Sequence, residues 1–381
     1  MTRFYFDHNA TTPVSPEVLE AVLPVMTEVY GNASSIHHFG QMARKQLDHA
    51  RRQVAEMIGA RPNEIVFTSG GTESDNLAIL GVIAPHEKSA GHLITTTVEH
   101  PAVLAAAGHV AFVTRVPVDG RGVVDPADIR RALRPDTKLI TIMHANNELG
   151  VIQPVEEIAA IAREAGVILH SDGVQAAGKI PVNVTQLGVD LYSISGHKFH
   201  APKGIGALYI RKGTKIAPRM LGGHHERDRR AGTENVSGAV GLGRAAEWMI
   251  ENSSTEWPRI AELRDRLGRG ILERVPDTHV NGAGAPRTPN TSNIRFDGID
   301  AEPLLIALDL KGFAVSSGSA CSSGVTEPSH VLTAIGLSKE QARSSVRFSL
   351  GRSNTVEQVD GLIAAVEESV AHLRKLAPAY A

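Results

Sequence analysis

Cys321 is the only cysteine among 381 residues, and it lies in SSGSACSSG, residues 316–324. A run of Ser and Gly reads as loop, where a thiolate can act as a nucleophile; a packed apolar strand would instead suggest an inert buried side chain. No cation adjoins the cysteine in the chain, so activation must come from its surroundings. Further polar clusters follow apolar runs. SGGTES, residues 69–74, combines glycines that admit close backbone approach with the Thr72 and Ser74 hydroxyls, a combination suited to a phosphate. Taken alone it serves equally well as a plain turn with a Thr cap. VEHP sets His100 before a proline, where an imidazole could stack on a planar ring or move protons, although one histidine among 17 is more often structural. HANNELG offers Asn147, by itself best read as an amide satisfying turn backbone.

Two clusters make stronger demands. HSDGVQ closes an apolar run, and Asp172 there is costly to desolvate without a positive partner. In SISGHKFHAPKGIGALYI, Lys198 stands between apolar runs beside Ser195, His197 and a glycine-rich turn. A lysine forced into such a place has a depressed pKa and a nucleophilic amine, and the apolar flanks weigh against a surface hairpin.

The elements that must position these groups follow from the pattern. Between about residues 62 and 212, β-rich runs such as EIVFT, LITTT, LITIM and VILHSD alternate with helical stretches. Runs that are apolar on both faces predict a mainly parallel, doubly wound α/β sheet covered by helices on each side. Ligands of such sheets bind beyond the carboxyl ends of the strands, where these clusters fall. Past residue 255 the rhythm changes to the amphipathic WPRIAELRDRLGRGILERV, the irregular NGAGAPRTPNTS, then strand, helix and strand. Residues 1–255 are therefore expected to form a large α/β domain, with 1–15 a segment available to pack on the second domain. Residues 256–381 are expected to form a smaller α+β domain carrying the cysteine loop.

Together the clusters supply an anion cradle, an amine for a Schiff base, a carboxylate to keep a pyridine nitrogen protonated, and groups to flank a ring. These are the parts of a pyridoxal-phosphate site. With those residues in view, the chain resembles the pyridoxal-phosphate cysteine desulfurases of the class V aminotransferase family, fold type I transferases that supply sulfur for iron–sulfur clusters. The likeness runs nearly end to end, through YFDHNATTPVSPEV, GNASSIHHFG, TSGGTESDNLAI, EHPAVL, MHANNELG, HSDGVQ, SGHKFHAPKGIGALY, RAGTEN, SGSACSSGVTEPSHVL and SSVRFSLGR.

The resemblance implies that Lys198 carries the cofactor, Asp172 pairs with its pyridine nitrogen, and Gln175 faces its phenolic oxygen. It implies that His100 stacks on the ring and is a candidate acid and base, and that Asn147 lies beside ring and substrate. Gly71, Thr72, Ser195 and His197 would hold the phosphate with Thr233 of the partner subunit in a homodimer. Arg347 would bind the substrate carboxylate, with Arg352 close by as the arginine it could be confused with. Cys321 would take sulfur from L-cysteine as a persulfide, leaving L-alanine, and would hand it to an iron–sulfur scaffold or another acceptor protein. The same thiol is a candidate transient iron–sulfur ligand, with no resident metal. The long form of the cysteine loop, continuing into VTEPSHVL, resembles the branch serving iron–sulfur assembly. A selenocysteine lyase would share the site; a carbon–sulfur β-lyase or aminotransferase would not need Cys321; a non-catalytic scaffold would need none of it.

Composition narrows the partners. Lys plus Arg number 39 against 41 Asp plus Glu, so no basic field gathers nucleic acid or anionic lipid. ERDRRAG lacks interleaved aromatics. No leader pattern opens the chain and no apolar run approaches the ~18 residues of a membrane helix. A lone free cysteine accords with a reducing cytoplasm. GAVGLGRAA, without a preceding strand, reads as a helix with small residues at a packing contact rather than a dinucleotide loop. The pairs His37/His38 and His224/His225 have no partners at metal-ligand spacing.

Overall fold

The computed structural model describes residues 2–83, 91–318 and 328–376; Cys321 lies outside the described residues. The strands are β1 (Phe4–Tyr5), β2 (Ile65–Thr68), β3 (His92–Thr96), β4 (Phe112–Val116), β5 (Thr137–Thr141), β6 (Ile168–Asp172), β7 (Leu191–Ser195), β8 (Gly206–Ile210), β9 (Thr278–Val280), β10 (Thr291–Phe296), β11 (Phe313–Ala314) and β12 (Ser345–Ser349). A 7-stranded sheet takes the order β2-β8-β7-β6-β5-β3-β4. β7–β6, β6–β5, β5–β3 and β3–β4 pair in parallel, while β8 runs antiparallel to both neighbours. The mainly parallel α/β sheet expected from the doubly apolar runs is therefore present, and its central strands are buried along their length.

Polar side chains inside this sheet are paired laterally. His170 on β6 meets Thr141 Oγ1 at 2.7 Å through Nδ1 and Ser193 Oγ at 2.9 Å through Nε2, tying β5, β6 and β7 together. Burial lowers its pKa to about 3, so it is neutral and structural. His92 is held in the same way between Thr137 and Thr114.

A second sheet, β12-β10-β9, is antiparallel and packs with the helices Ala301–Leu310 and Val356–Leu376 around a separate core that includes Leu267, Phe296, Phe348 and Val366. Phe6 belongs to that core, and β1 pairs with β11, so the N-terminal segment lies on this side of the molecule. The amphipathic segment following residue 255 is not a separate helix. It is the latter half of a 39-residue helix, Val236–Arg274, which runs from the large core to the small one. Its first half carries the small residues of GAVGLG. A Cβ at Gly243 would lie 2.7 Å from Ala50 Cα and one at Gly241 2.6 Å from Pro202 Cδ, so close helix packing requires glycine at both.

Candidate active site

The carboxyl ends of β6 and β7, the start of the helix Gly71–Ile83 and the polar turn after β1 converge on one cleft of about 570 Å³. Gly71, Thr72, His100, Asn147, Asp172, Gln175, Ser195, His197, Lys198 and Arg347 all line it. Segments far apart in the chain thus bring the expected groups together. Thr233 is exposed and is not among the lining residues of this chain's cleft.

Lys198 follows β7, where its amine donates to the carbonyls of Asn9 at 2.6 Å and Ala10 at 2.9 Å. Burial and the nearby Arg347 lower its pKa to about 8, against the opposing pull of Asp172 and Asp7. Asp172, 4% exposed at the end of β6, accepts from Val174 N–H at 2.9 Å. Burial raises its pKa, while His100, that N–H and Lys198 favour the charged form. Lys198 and His100 share the cleft with it.

His100 caps the helix Pro101–Ala107: its Nδ1 accepts from Ala102 N–H at 3.1 Å, which leaves the proton of the neutral ring on Nε2. Burial lowers its pKa, so the neutral ring prevails at neutral pH. The helix Gly71–Ile83 opens with backbone N–H groups at the cleft, as an anion site needs. A Cβ at Gly71 would lie 2.6 Å from Val174 Cγ2, so the cradle closes only around glycine. Ser195 and the His197 ring, the latter 3.1 Å from Thr11 Oγ1, face it from the other side. Glu73 also lines the cleft, but Arg230 neutralises it at 2.9 Å.

One expectation needs correcting. The Ser74 hydroxyl does not face a phosphate: it is fully buried and bonded to Thr68 Oγ1 at 2.8 Å and Gly70 O at 3.1 Å. It lies two positions beyond Thr72, and helical rotation carries it to the inward face. The two arginines also separate. Arg347, 3% exposed, lines the cleft with its guanidinium held by Asp7 Oδ1 at 2.6 Å and Asn147 O at 3.0 Å. Arg352 lies outside that cleft, paired with Glu17 and 4.1 Å over the Trp248 ring.

Several cleft-lining positions escaped the sequence reading: Asn9, Ala10 and Thr11 of the N-terminal DHNATT run, Asp75, Lys203 and Gly318. Asn9 is the hub among them. Besides accepting from Lys198, it donates through Nδ2 to Asn147 O at 3.1 Å and Thr291 Oγ1 at 2.9 Å. The dense polar run before Pro13 was the available signal. Asp75, 1% exposed, brings a carboxylate oxygen within 4.8 Å of ligand atoms of Asp172 and His100.

The model of the aminotransferase class-V family matches residues 4–362, and the chain belongs to that family. Its relatives include cysteine desulfurases. "Cysteine desulfurase IscS" of Dictyoglomus turgidum is 49% identical over 98% of this chain and 96% of its own length. The protein of the same description from Methanosarcina thermophila is 50% identical over 98% and 93%. A solved structure described as a NifS-like protein superposes with a TM-score of 0.91 at 39% identity, covering 98% of this chain and 100% of that one.

Proposed function

We propose that this protein is a pyridoxal-5'-phosphate-dependent cysteine desulfurase that converts L-cysteine to L-alanine and passes the sulfur to Cys321 as a persulfide, for donation to iron–sulfur cluster assembly. The observation that carries the reading is the meeting of the Lys198 amine, the buried Asp172 carboxylate and Gly318 in one cleft. Gly318, which lines the cleft, precedes Cys321 by three residues in the sequence.

The residues fit the cofactor. Gly71, Thr72, Ser195 and His197 form a cradle that a side chain at position 71 would fill, Asp172 is a desolvated carboxylate requiring a cation, and Lys198 is an amine of lowered pKa. When bound, the cofactor supplies an electron sink for the carbon skeleton of the amino acid. Arg347, pre-oriented by Asp7 and the Asn147 carbonyl, offers its remaining N–H groups to the substrate carboxylate. The Lys198 amine, when neutral, can accept the proton from the substrate Cα. His100 presents an Nε2–H toward the cleft for a further proton transfer. The Cys321 thiolate attacks the substrate sulfur, forming an S–S bond as the sulfur–Cβ bond breaks. The electron pair stays with carbon, which is protonated to alanine, so no outside oxidant or reductant is required.

The working unit is a homodimer in which Thr233 of the partner subunit completes the phosphate site. This reading is supported by the exposed apolar side chains Leu19, Leu23, Met26, Tyr30, Ile36 and Phe39, which ask for a covering surface. The division into domains at residue 255 belongs to the same reading, supported by the two separate cores. A cytoplasmic location accords with the single free cysteine; among the described residues no helix is long and apolar enough to cross a membrane.

The test is to incubate the cofactor-loaded protein with L-cysteine, quantify alanine, and map added sulfur by mass spectrometry of the peptide carrying Cys321. Wild type is expected to give alanine and one extra sulfur atom on that peptide. Cys321→Ala is expected to keep the bound cofactor's visible absorption and lose turnover. Unimpaired turnover in that variant would favour a β-lyase and refute the persulfide route.

A further inference from the structure

Lys179 is a second buried lysine, 7% exposed, whose two hydrogen-bond partners line the cleft. Its Nζ donates to Asn9 Oδ1 at 2.9 Å and to Gln175 Oε1. Neither partner is a carboxylate, so no ion pair explains a lysine in this place. Burial, with Lys198 and Arg347 adding repulsion, drives its pKa well down. Even a neutral amine keeps two N–H donors, enough for the two acceptors it meets.

The contacts of Gln175 are complementary. Its Nε2 donates to Asn9 O at 3.0 Å, a carbonyl that can only accept, while its Oε1 faces an amine. Turning the amide over would set its oxygen against the Asn9 carbonyl oxygen and would give up the N–H donated by Lys179. One N–H of Nε2 then remains for the cleft that Gln175 lines. We propose that Lys179 is a positioning residue that fixes the amide of Gln175 with its N–H end toward the cleft, so that a donor and not an acceptor meets the phenolic oxygen of the cofactor. The inference rests on the pyridoxal-phosphate reading above. A donor there would draw charge from the phenolic oxygen of a bound cofactor and so would lower the pH at which its link to Lys198 loses a proton.

The test is a double-mutant cycle read by the pH midpoint of the bound cofactor's visible absorption, with cofactor affinity measured alongside. Lys179→Met is expected to raise the midpoint by about 0.5 to 1 unit, the equivalent of one ordinary hydrogen bond. In a Gln175→Ala background the same substitution is expected to shift it no further. Lys179→Gln, which keeps N–H donors without charge, is expected to stay nearer wild type than Lys179→Met and guards against a variant that fails to fold. An equal shift in both backgrounds would show that Lys179 acts through its charge or its packing and would overturn the proposal. So would a Lys179→Gln shift as large as that of Lys179→Met. If the wild-type protein takes up no pyridoxal phosphate, the reading of the site fails; if it does and the shifts are additive, the Lys179 inference alone fails.

Discussion

The lowered pKa of Lys198 predicts when the protein can take up its cofactor. An amine attacks an aldehyde only when neutral, so the rate of uptake follows the unprotonated fraction. At the ordinary value of 10.5 one amine in ~3000 is neutral at pH 7; at about 8 it is one in ~11, a gain of ~300-fold. Because the pKa is lowered, reactivity is present above about pH 8 and declines as pH falls through that value. Two substitutions move the midpoint in opposite directions. Arg347→Gln removes a positive neighbour that lowers the Lys198 pKa, so the midpoint rises; Asp172→Asn removes a negative neighbour that raises it, so the midpoint falls. The assay is stopped-flow growth of visible absorption on mixing apoprotein with excess pyridoxal phosphate across the pH range. A wild-type midpoint near 10.5, or shifts of the same sign in both variants, would refute the electrostatic account of the cleft.

Three further outcomes follow from the same contacts. Arg347→Lys keeps a charge near Asp7 but loses the planar fork, so KM for L-cysteine is expected to rise about 10- to 100-fold with a smaller change in kcat, measured by initial rates of alanine formation. Glu226, the first of three successive left-handed residues ending at Asp228, forms a buried pair with Arg51 at 2.6 and 2.8 Å. Glu226→Gln leaves the Arg51 charge short of its partner and is expected to cost about 3 kcal/mol of stability, measured by denaturant unfolding. Glu99 is buried, its pKa raised to about 8 by desolvation against the donors Thr96 Oγ1 and Met143 N–H. A raised folded-state value means that stability is retained below about 4.5 and lost as pH rises through about 8. Glu99→Gln should therefore flatten the fall of Tm across that interval; an unchanged slope would place the ionisation elsewhere.

What was legible in the sequence was the chemistry fixed by local pattern. Asp172 and Lys198 could be singled out because apolar strands deliver a charged group to a sheet end only at a desolvation cost, and the structure sets both in one cleft. Ser74 was misread because a list of hydroxyls carries no rotation: two positions beyond Thr72 the helix turns it inward. Arg347 and Arg352 were indistinguishable by type and spacing, and tertiary packing separates them, the one onto Asp7 and the other over Trp248. The hub at Asn9 was hidden for a different reason. Two of its functional contacts, with Lys198 Nζ and Gln175 Nε2, fall on its backbone carbonyl, a group every residue carries, so no residue type announces them. Its side-chain bonds join residues more than a hundred positions away, where no periodicity operates. A site is thus readable from sequence to the extent that its chemistry needs a particular side chain at a particular place on a regular element. Where the chain supplies main-chain acceptors through a distant irregular segment, the fold alone makes the assignment, and the Asn9 carbonyl that receives both Lys198 and Gln175 is a group that no side-chain substitution removes directly.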